Sequence, residues 1–187
     1  LTDSYHPTQV LADLLTVREV FGRLKGIVFA YVGDGRNNMA NSLMIGAAKT
    51  GMDFRIVAPS ALFPDPALIE TVRAIAAETG ARITLCEDIE TGVKAADVIY
   101  TDVWVSMGEE SRFAERIQLL LPYQVNAAMM KKTGKADSIF LHCLPAFHDL
   151  QTGVGMDIYE KFGIPAMKVT DEVFESPASR VWDQAEN

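Results

Sequence analysis

Ile27-Val28-Phe29-Ala30-Tyr31-Val32-Gly33-Asp34-Gly35-Arg36-Asn37-Asn38 is the stretch on which the fold turns. Six apolar or aromatic residues run into two closely spaced glycines, and a cluster of polar residues follows. Continuous rather than alternating hydrophobicity suits a strand covered on both faces, as in a parallel sheet. From Asn38 the period changes. Met39, Leu43, Met44, Ala47 and Ala48 form one apolar stripe that stops at Gly51, the spacing of a helix with one face inward. Strand, tight turn and helix make the first half of a parallel crossover unit.

The same alternation extends outward along the chain. Apolar, β-rich runs recur at 54–58, 83–86, 98–103, 139–141 and 167–169. Asp65-Pro66 supplies an N-cap and a first-turn proline for a helix ending at Gly80, with Leu68, Val72, Ile75 and Ala76 inward. Glu109 and Glu110 suit the positive end of a helix carrying Phe113, Ile117, Leu120 and Leu121, stopped by Pro122. Pro7 opens a further helix, with Val10, Leu11, Leu14 and Leu15 on one face. The pattern predicts an α/β fold: a Rossmann-like, doubly wound parallel sheet with helices on both faces and right-handed crossovers, in a single domain. The helix at Pro7 is entered almost without a leader, and Gln184-Ala185-Glu186-Asn187 carries no stop signal. The expectation is therefore a domain taken from a larger fold.

Composition narrows the class. At 187 residues, 49% hydrophobic and 22% charged, the chain is long enough for one sizeable core. Its net charge of −8 argues against nucleic acid or an anionic membrane as partner. No apolar run approaches the ~20 residues that span a bilayer. Two cysteines in such a chain read as reduced thiols. A soluble, cytosolic-type domain is expected.

Four polar clusters mark candidate sites. Gly33-x-Gly35 invites a dinucleotide fingerprint, but Asn38 holds the third glycine position. The second strand ends in Val57-Ala58-Pro59-Ser60, without an acid for a ribose. Arg36, Asn37 and Asn38 instead place hydrogen-bonding groups at a helix N-terminus, suited to an anionic or zwitterionic ligand. Asp102 ends an apolar run and is followed by Ser106-Met107-Gly108. It suits a helix cap and a counter-charge for a ligand amine equally well. Cys143 follows His142 at another strand end; a cysteine there is by default a small buried hydrophobe. A nucleophilic thiolate needs a base, and His142, adjacent on an extended strand, is expected to face the opposite side. Hydrogen bonding by the thiol is the better reading. His148 is assigned no role. His6-Pro7-Thr8-Gln9 reads as helix-start chemistry, or as donors to a carbonyl oxygen or phosphate.

In this order and spacing, His6-Pro7-Thr8-Gln9, Gly33 to Asn38, Asp102 to Gly108 and His142-Cys143-Leu144-Pro145 resemble ornithine carbamoyltransferases over essentially the whole chain. The stretch from Asp171-Glu172-Val173-Phe174-Glu175-Ser176-Pro177 to Asp183-Gln184-Ala185-Glu186-Asn187 is also similar to that family. Aspartate carbamoyltransferases share a His-Pro-x-Gln, but the Ser-Met-Gly and His-Cys-Leu-Pro segments resemble the ornithine branch. The resemblance implies an ornithine-binding domain over 23–187. It implies that 1–22 is a helix linking to a carbamoyl phosphate domain. It implies carbamoyl transfer from carbamoyl phosphate to the δ-amine of ornithine, giving citrulline and phosphate, without metal or organic cofactor.

On that resemblance His6 and Gln9 hold the carbamoyl group, His6 polarising its oxygen. Asn38, Asp102, Ser106 and Met107 bind the amino and carboxylate ends of ornithine. Cys143 and the Leu144 backbone contact the carbamoyl amide and the attacking amine. Cys143, Asp102 and His6 are then the catalytic group. The family's phosphate-gripping Ser-x-Arg-Thr segment does not occur in this sequence, and its closing arginine would follow Asn187. The chain alone is therefore expected to make no citrulline at a useful rate. The resemblance further implies a trimer-based homo-oligomer for the whole enzyme. It also implies a cytoplasmic location, or a mitochondrial form whose transit peptide lies upstream. One site serves both arginine synthesis and the reverse phosphorolysis of citrulline. Two other readings remain: carbamoyl transfer to another amino acid or amine, and a non-catalytic amino-acid-binding module. A substrate panel separates the first, since Asp102 suits an α-amino group that putrescine lacks.

Overall fold

A computed structural model describes residues 1–105 and 112–187. The order of elements is α1 (Pro7–Phe21), β1 (Val28–Val32), α2 (Asn38–Thr50), β2 (Asp53–Val57), α3 (Pro66–Thr79), β3 (Arg82–Cys86), α4 (Ile89–Val93) and β4 (Val98–Thr101). It continues with α5 (Phe113–Leu120), α6 (Ala127–Lys132), β5 (Ile139–His142), α7 (Gly153–Phe162), α8 (Asp171–Phe174) and α9 (Val181–Glu186). All strand pairs are parallel, in the order β3-β2-β1-β4-β5. The order reverses beside β1, so the loops after β1 and β4 diverge and leave a crevice at their carboxyl ends, where ligands of such sheets bind.

Both faces of the sheet are covered, as continuous apolar strands require. Phe29, Tyr31, Phe54, Ile56, Tyr100 and Leu141 pack against Val10 and Val17 of α1, Met39, Leu43 and Met44 of α2, and Val72 of α3. The alternate residues Ala30, Val32, Val57, Ile99 and Phe140 meet Val93 of α4, Met129 of α6, Val173 and Phe174 of α8, and Val181 of α9. A smaller cluster of Leu62, Trp104, Ile117, Leu120, Ile158 and Met167 closes the carboxyl rim.

Local signals behave as their chemistry dictates. Asn37 caps α2 by accepting the Ala40 amide at 2.8 Å, and Gly51 ends it in the left-handed region. Asp65 caps α3 in the same way through Ala67, and Gly80 closes it. Gly35 lies where an added Cβ would meet Leu62 O and Ile56 Cγ2 at 2.7 Å each, so only glycine lets the β1–α2 turn approach that close.

Three expectations need correction. The run at 167–169 is no strand; only Val169 bridges, to Val125. Val125 is caught between a one-turn helix (Leu121–Tyr123) and the Asn126 cap of α6, so no extended partner exists there. The inward face of α1 is Val10, Asp13, Thr16 and Val17, whereas Leu11 and Leu15 are exposed. Two polar residues take inward positions because each has a buried or backbone partner, Asp13 through Gln184 and Thr16 through Ala12 O. Leu121 lies beyond α5 and is exposed, because Pro122 converts that turn to a 3-10 helix. In α3, Ile69 is buried, and the expected Leu68 and Ile75 pack half-buried beside it. Glu109 and Glu110 lie outside the described residues.

Candidate active site

The strand ends build the site. β4 stops at Thr101, whose hydroxyl donates to Val32 O at 2.7 Å and ties the two diverging strands together. The next residue, Asp102, is buried at the crevice. Its Oδ1 accepts the Val103 amide at 2.7 Å and the Cys143 thiol at 3.1 Å. Its Oδ2 accepts Nδ2 of Asn37 at 3.0 Å. That Asn37 amide also donates to the Tyr31 hydroxyl at 2.7 Å. One carboxylate therefore gathers the ends of β1, β4 and β5.

Burial raises the Asp102 pKa, and its donors together with the charges of Lys168 and His6 pull it back down. Burial, then the charge of Asp102, pushes the Cys143 thiol well above its usual range. A thiol held protonated by an adjacent carboxylate is a poor nucleophile and a good hydrogen-bond donor. Lys168 is fully buried, with Nζ 4.3 Å from the centre of the Phe147 ring. Burial lowers its pKa to about 8, while Asp102 and Cys143 raise it.

His142 departs from expectation. The strand ends there and Leu144 turns into the left-handed region at φ 53°, so strand alternation no longer separates His142 from Cys143. A ring nitrogen, the Cys143 sulfur and an Asp102 oxygen all lie within 4.8 Å of one another. Even so, His142 is no thiol base. Its Nδ1 accepts the Leu144 amide at 2.9 Å, and burial holds its pKa well below normal. The Leu144 N–H is thereby taken, and a ligand contact from that backbone falls to its carbonyl oxygen. The Leu144–His142 and Cys143–Asp102 bonds weaken the trio as a metal centre, since the first fixes the imidazole proton on Nε2 and the second keeps the thiol protonated.

The start of α1 faces the same crevice. The His6 amide donates to Ser42 Oγ of α2 at 2.8 Å, and His6 Nδ1 lies 3.2 Å from Thr8 Oγ1. Burial lowers the His6 pKa, and Asp102 opposes that shift. Gln9 donates from Nε2 to Asp13 at 3.0 Å. Asn38 is separate from this group: its Nδ2 donates to Thr2 O at 2.9 Å, and Asn37 is the asparagine beside Asp102. Ser106 and Met107 lie outside the described residues. His148, expected to have no role, pairs with Asp171 at 2.8 Å and stacks on Phe174 at 3.8 Å. With Glu175 these two form a second group of potential ligand atoms, on the surface.

Sequence reasoning placed Asn37 in a polar ligand-binding cluster but gave the ornithine to its neighbour Asn38, and it assigned no role to Tyr31, Asp13, Gln184 or Lys168. Two of these left a trace. Asp13 is an acid on the helix face that carries Val10 and Val17, and Lys168 is a cation between Met167 and Val169.

Comparison with known proteins places this geometry. The family model for "Aspartate/ornithine carbamoyltransferase, Asp/Orn binding domain" matches residues 25–187. The catabolic ornithine carbamoyltransferase of Bacillus licheniformis is 59% identical over 187 residues, covering all of this chain and 56% of the relative. That of Streptococcus ratti is 57% identical, again over 100% of this chain and 56% of the relative. Among solved structures, the ornithine carbamoyltransferase of Pyrococcus furiosus superposes with a TM-score of 0.83 at 44% identity, over 98% of this chain and 53% of that one. The enzyme of Gloeobacter violaceus gives 0.81 at 44% identity, over 100% and 55%. The chain thus spans about half the length of the relatives it matches. By sequence and by fold, it belongs to the aspartate/ornithine carbamoyltransferase family and matches that family's amino-acid-binding domain.

Proposed function

We propose that this chain supplies the ornithine-binding half of an ornithine carbamoyltransferase. The observation that carries the reading is the convergence of Asn37, Asp102 and Cys143 from three strand ends at the crevice of the sheet. A buried carboxylate at its centre suits an ammonium ligand and disfavours the acidic side chain of aspartate. The relatives above 55% identity carry ornithine in their names.

In this reading Asp102 receives the α-ammonium of ornithine, and Asn38, once its amide leaves Thr2 O, joins Ser106 and Met107 in completing the amino-acid grip. The δ-amine, neutral when it reacts, attacks the carbonyl carbon of carbamoyl phosphate. A C–N bond forms, the C–O bond to phosphate breaks, and phosphate leaves with the electron pair. The nitrogen sheds its surplus proton to phosphate or solvent. His6 donates to the carbamoyl oxygen as charge develops there. Gln9 and the Leu144 carbonyl accept from its amide, and Cys143 stays a hydrogen-bond donor throughout. The remaining half of the enzyme grips the phosphate, and a homo-oligomer assembles around it.

The test is citrulline formation by this chain joined to the segment of the Bacillus licheniformis relative that lies outside the aligned residues. Activity with ornithine, together with none from the chain alone, supports the reading. Transfer to putrescine or aspartate in preference overturns the substrate. A chain that binds ornithine but never supports transfer is an amino-acid-binding module instead.

A further inference from the structure

The geometry points to Asp13 as a positioning residue: it sets which end of the Gln9 amide faces the carbamoyl group, and ties that choice through Gln184 to the end of β5. The inference rests on the carbamoyl-binding reading of Gln9 proposed above. Asp13 is wholly buried on α1. Its single oxygen Oδ1 receives Gln9 Nε2 at 3.0 Å and Gln184 Nε2 at 2.6 Å. Its Oδ2 has no hydrogen-bond partner among the described residues.

A buried carboxyl with half its acceptor capacity unused is costly, and a core helix position could have held leucine. Ionised, it offers acceptors only, so both glutamine amides must turn their NH2 groups toward it. Gln184 then presents Oε1 to the His142 amide at 3.0 Å. Gln9, with its Nε2 held by Asp13, likewise turns Oε1 away from that carboxyl, which in the proposed reading is the side of the carbamoyl group. A carbamoyl group carries an NH2 donor beside its carbonyl oxygen. An outward Oε1 accepts from that NH2, whereas a flipped amide would set NH2 against NH2. One buried oxygen thus fixes the donor pattern of α1 and the position of the residue before Cys143.

Gln9 lies on the same helix as Asp13 and Gln184 on α9. Tyr100 of β4 places its hydroxyl 3.4 Å from Gln184 Nε2. Asp102 lies beyond β4, and Cys143 beyond β5 feels the charge of Asp13. Burial raises the Asp13 pKa to about 7, with the glutamine bonds and the nearby Tyr100 hydroxyl opposing it and the Asp102 charge acting in the same direction as burial. Its bonds to the two amides therefore strengthen as pH rises through neutrality.

The experiment follows the side-chain amide signals of Gln9 and Gln184 by nitrogen-15 NMR in the full chain, against pH. Both are expected to move together with one midpoint near 7. Asp13→Asn, which can still accept from both amides, keeps their positions and removes the midpoint. Asp13→Leu frees the Gln9 signal. Carbamoyl phosphate is then titrated, as the probe, into the chain joined to the segment of the Bacillus licheniformis relative that lies outside the aligned residues. It is expected to shift the Gln9 signal in the wild type and in Asp13→Asn, with apparent affinity at least tenfold weaker in Asp13→Leu. Should Asp13→Leu fail to fold, the co-titration and its loss in Asp13→Asn still decide. Independent midpoints, or a midpoint surviving in Asp13→Asn, overturn the positioning role. Co-titration without any response of Gln9 to carbamoyl phosphate overturns the carbamoyl reading of Gln9 and leaves the pairing standing.

Discussion

Asp102 is a buried carboxylate whose donors come from Asn37, Val103 and Cys143, with a buried lysine in the same field. The two sides of the Asp102–Cys143 contact predict different losses. Asp102→Ala removes the ammonium partner and orphans the Asn37 and Cys143 donors. Truncating one member of a buried charge pair costs about 2–5 kcal/mol, so kcat/KM for ornithine should fall by roughly 30-fold to several thousandfold. Cys143→Ser keeps a donor to Asp102, whereas Cys143→Ala removes it. If the thiol acts by hydrogen bonding, serine should retain much more activity than alanine in steady-state assays. Equal abolition by both would instead mark a nucleophile.

Asp13 makes a second residue-scale prediction, on stability. Its folded pKa of about 7 exceeds the reference value of 3.8. Between those values the native state binds more protons than the unfolded one, so stability declines as pH rises. The contribution is full below pH 4 and lost as pH passes 7. At 1.36 kcal/mol per unit, the shift from 3.8 to about 7 corresponds to roughly 4 kcal/mol. Urea denaturation of wild type and Asp13→Asn at pH 4 and pH 8 should show a difference that narrows in the variant by an amount of that order. Parallel pH profiles would mean that Asp13 titrates as an ordinary surface acid.

At the scale of elements, the site depends on how α1 seats against α2. Gly46 of α2 faces Val10 of α1, and a Cβ there would stand 2.7 Å from Val10 Cγ1. Alanine gains about 1 kcal/mol of helix propensity over glycine. Overpacking costs about 1–3 kcal/mol, and Val10, branched at Cβ, has few rotamers with which to yield. The clash should win: Gly46→Ala is expected to lower the melting temperature and to raise KM for carbamoyl phosphate through displacement of His6 and Gln9. A melting temperature unchanged or raised would show that α1 shifts freely.

The elements were legible wherever one physical rule acted alone. Continuous apolar runs became β1 to β5, and Asn37, Asp65, Gly51 and Gly80 bounded helices by cap chemistry. Legibility failed where tertiary partners decided. Residues 167–169 have strand composition but face Val125, which leads straight into the α6 cap. Leu11 and Leu15 looked inward on α1, yet Asp13 and Thr16 hold that face because their partners lie about 170 residues away in sequence, at Gln184 and Asn187. In the candidate site, the meeting of Asp102 and Cys143 follows from their positions at strand ends. Asn37 was read only as one of a polar cluster and the ornithine contact given to its neighbour, since only the turn geometry decides which asparagine caps and which points away.

Across the molecule, the order β3-β2-β1-β4-β5 explains why residues distant in sequence meet. The crevice beside β1 brings together the loops after β1 and β4, α1 covers one side, and α9 reaches back to Asp13 and the end of β5. Among the described residues no helix is long and apolar enough to cross a membrane. The chain covers about half the length of its relatives; in the proposed reading it holds the amino-acid side of the reaction, and the remainder supplies the phosphate side. The most direct measurement is citrulline formation by the completed protein, wild type against Asp102→Ala, with ornithine, putrescine and aspartate as competing acceptors. The account predicts ornithine-selective turnover that collapses in the variant. Ornithine turnover undiminished by Asp102→Ala, or a preference for another acceptor, would contradict it.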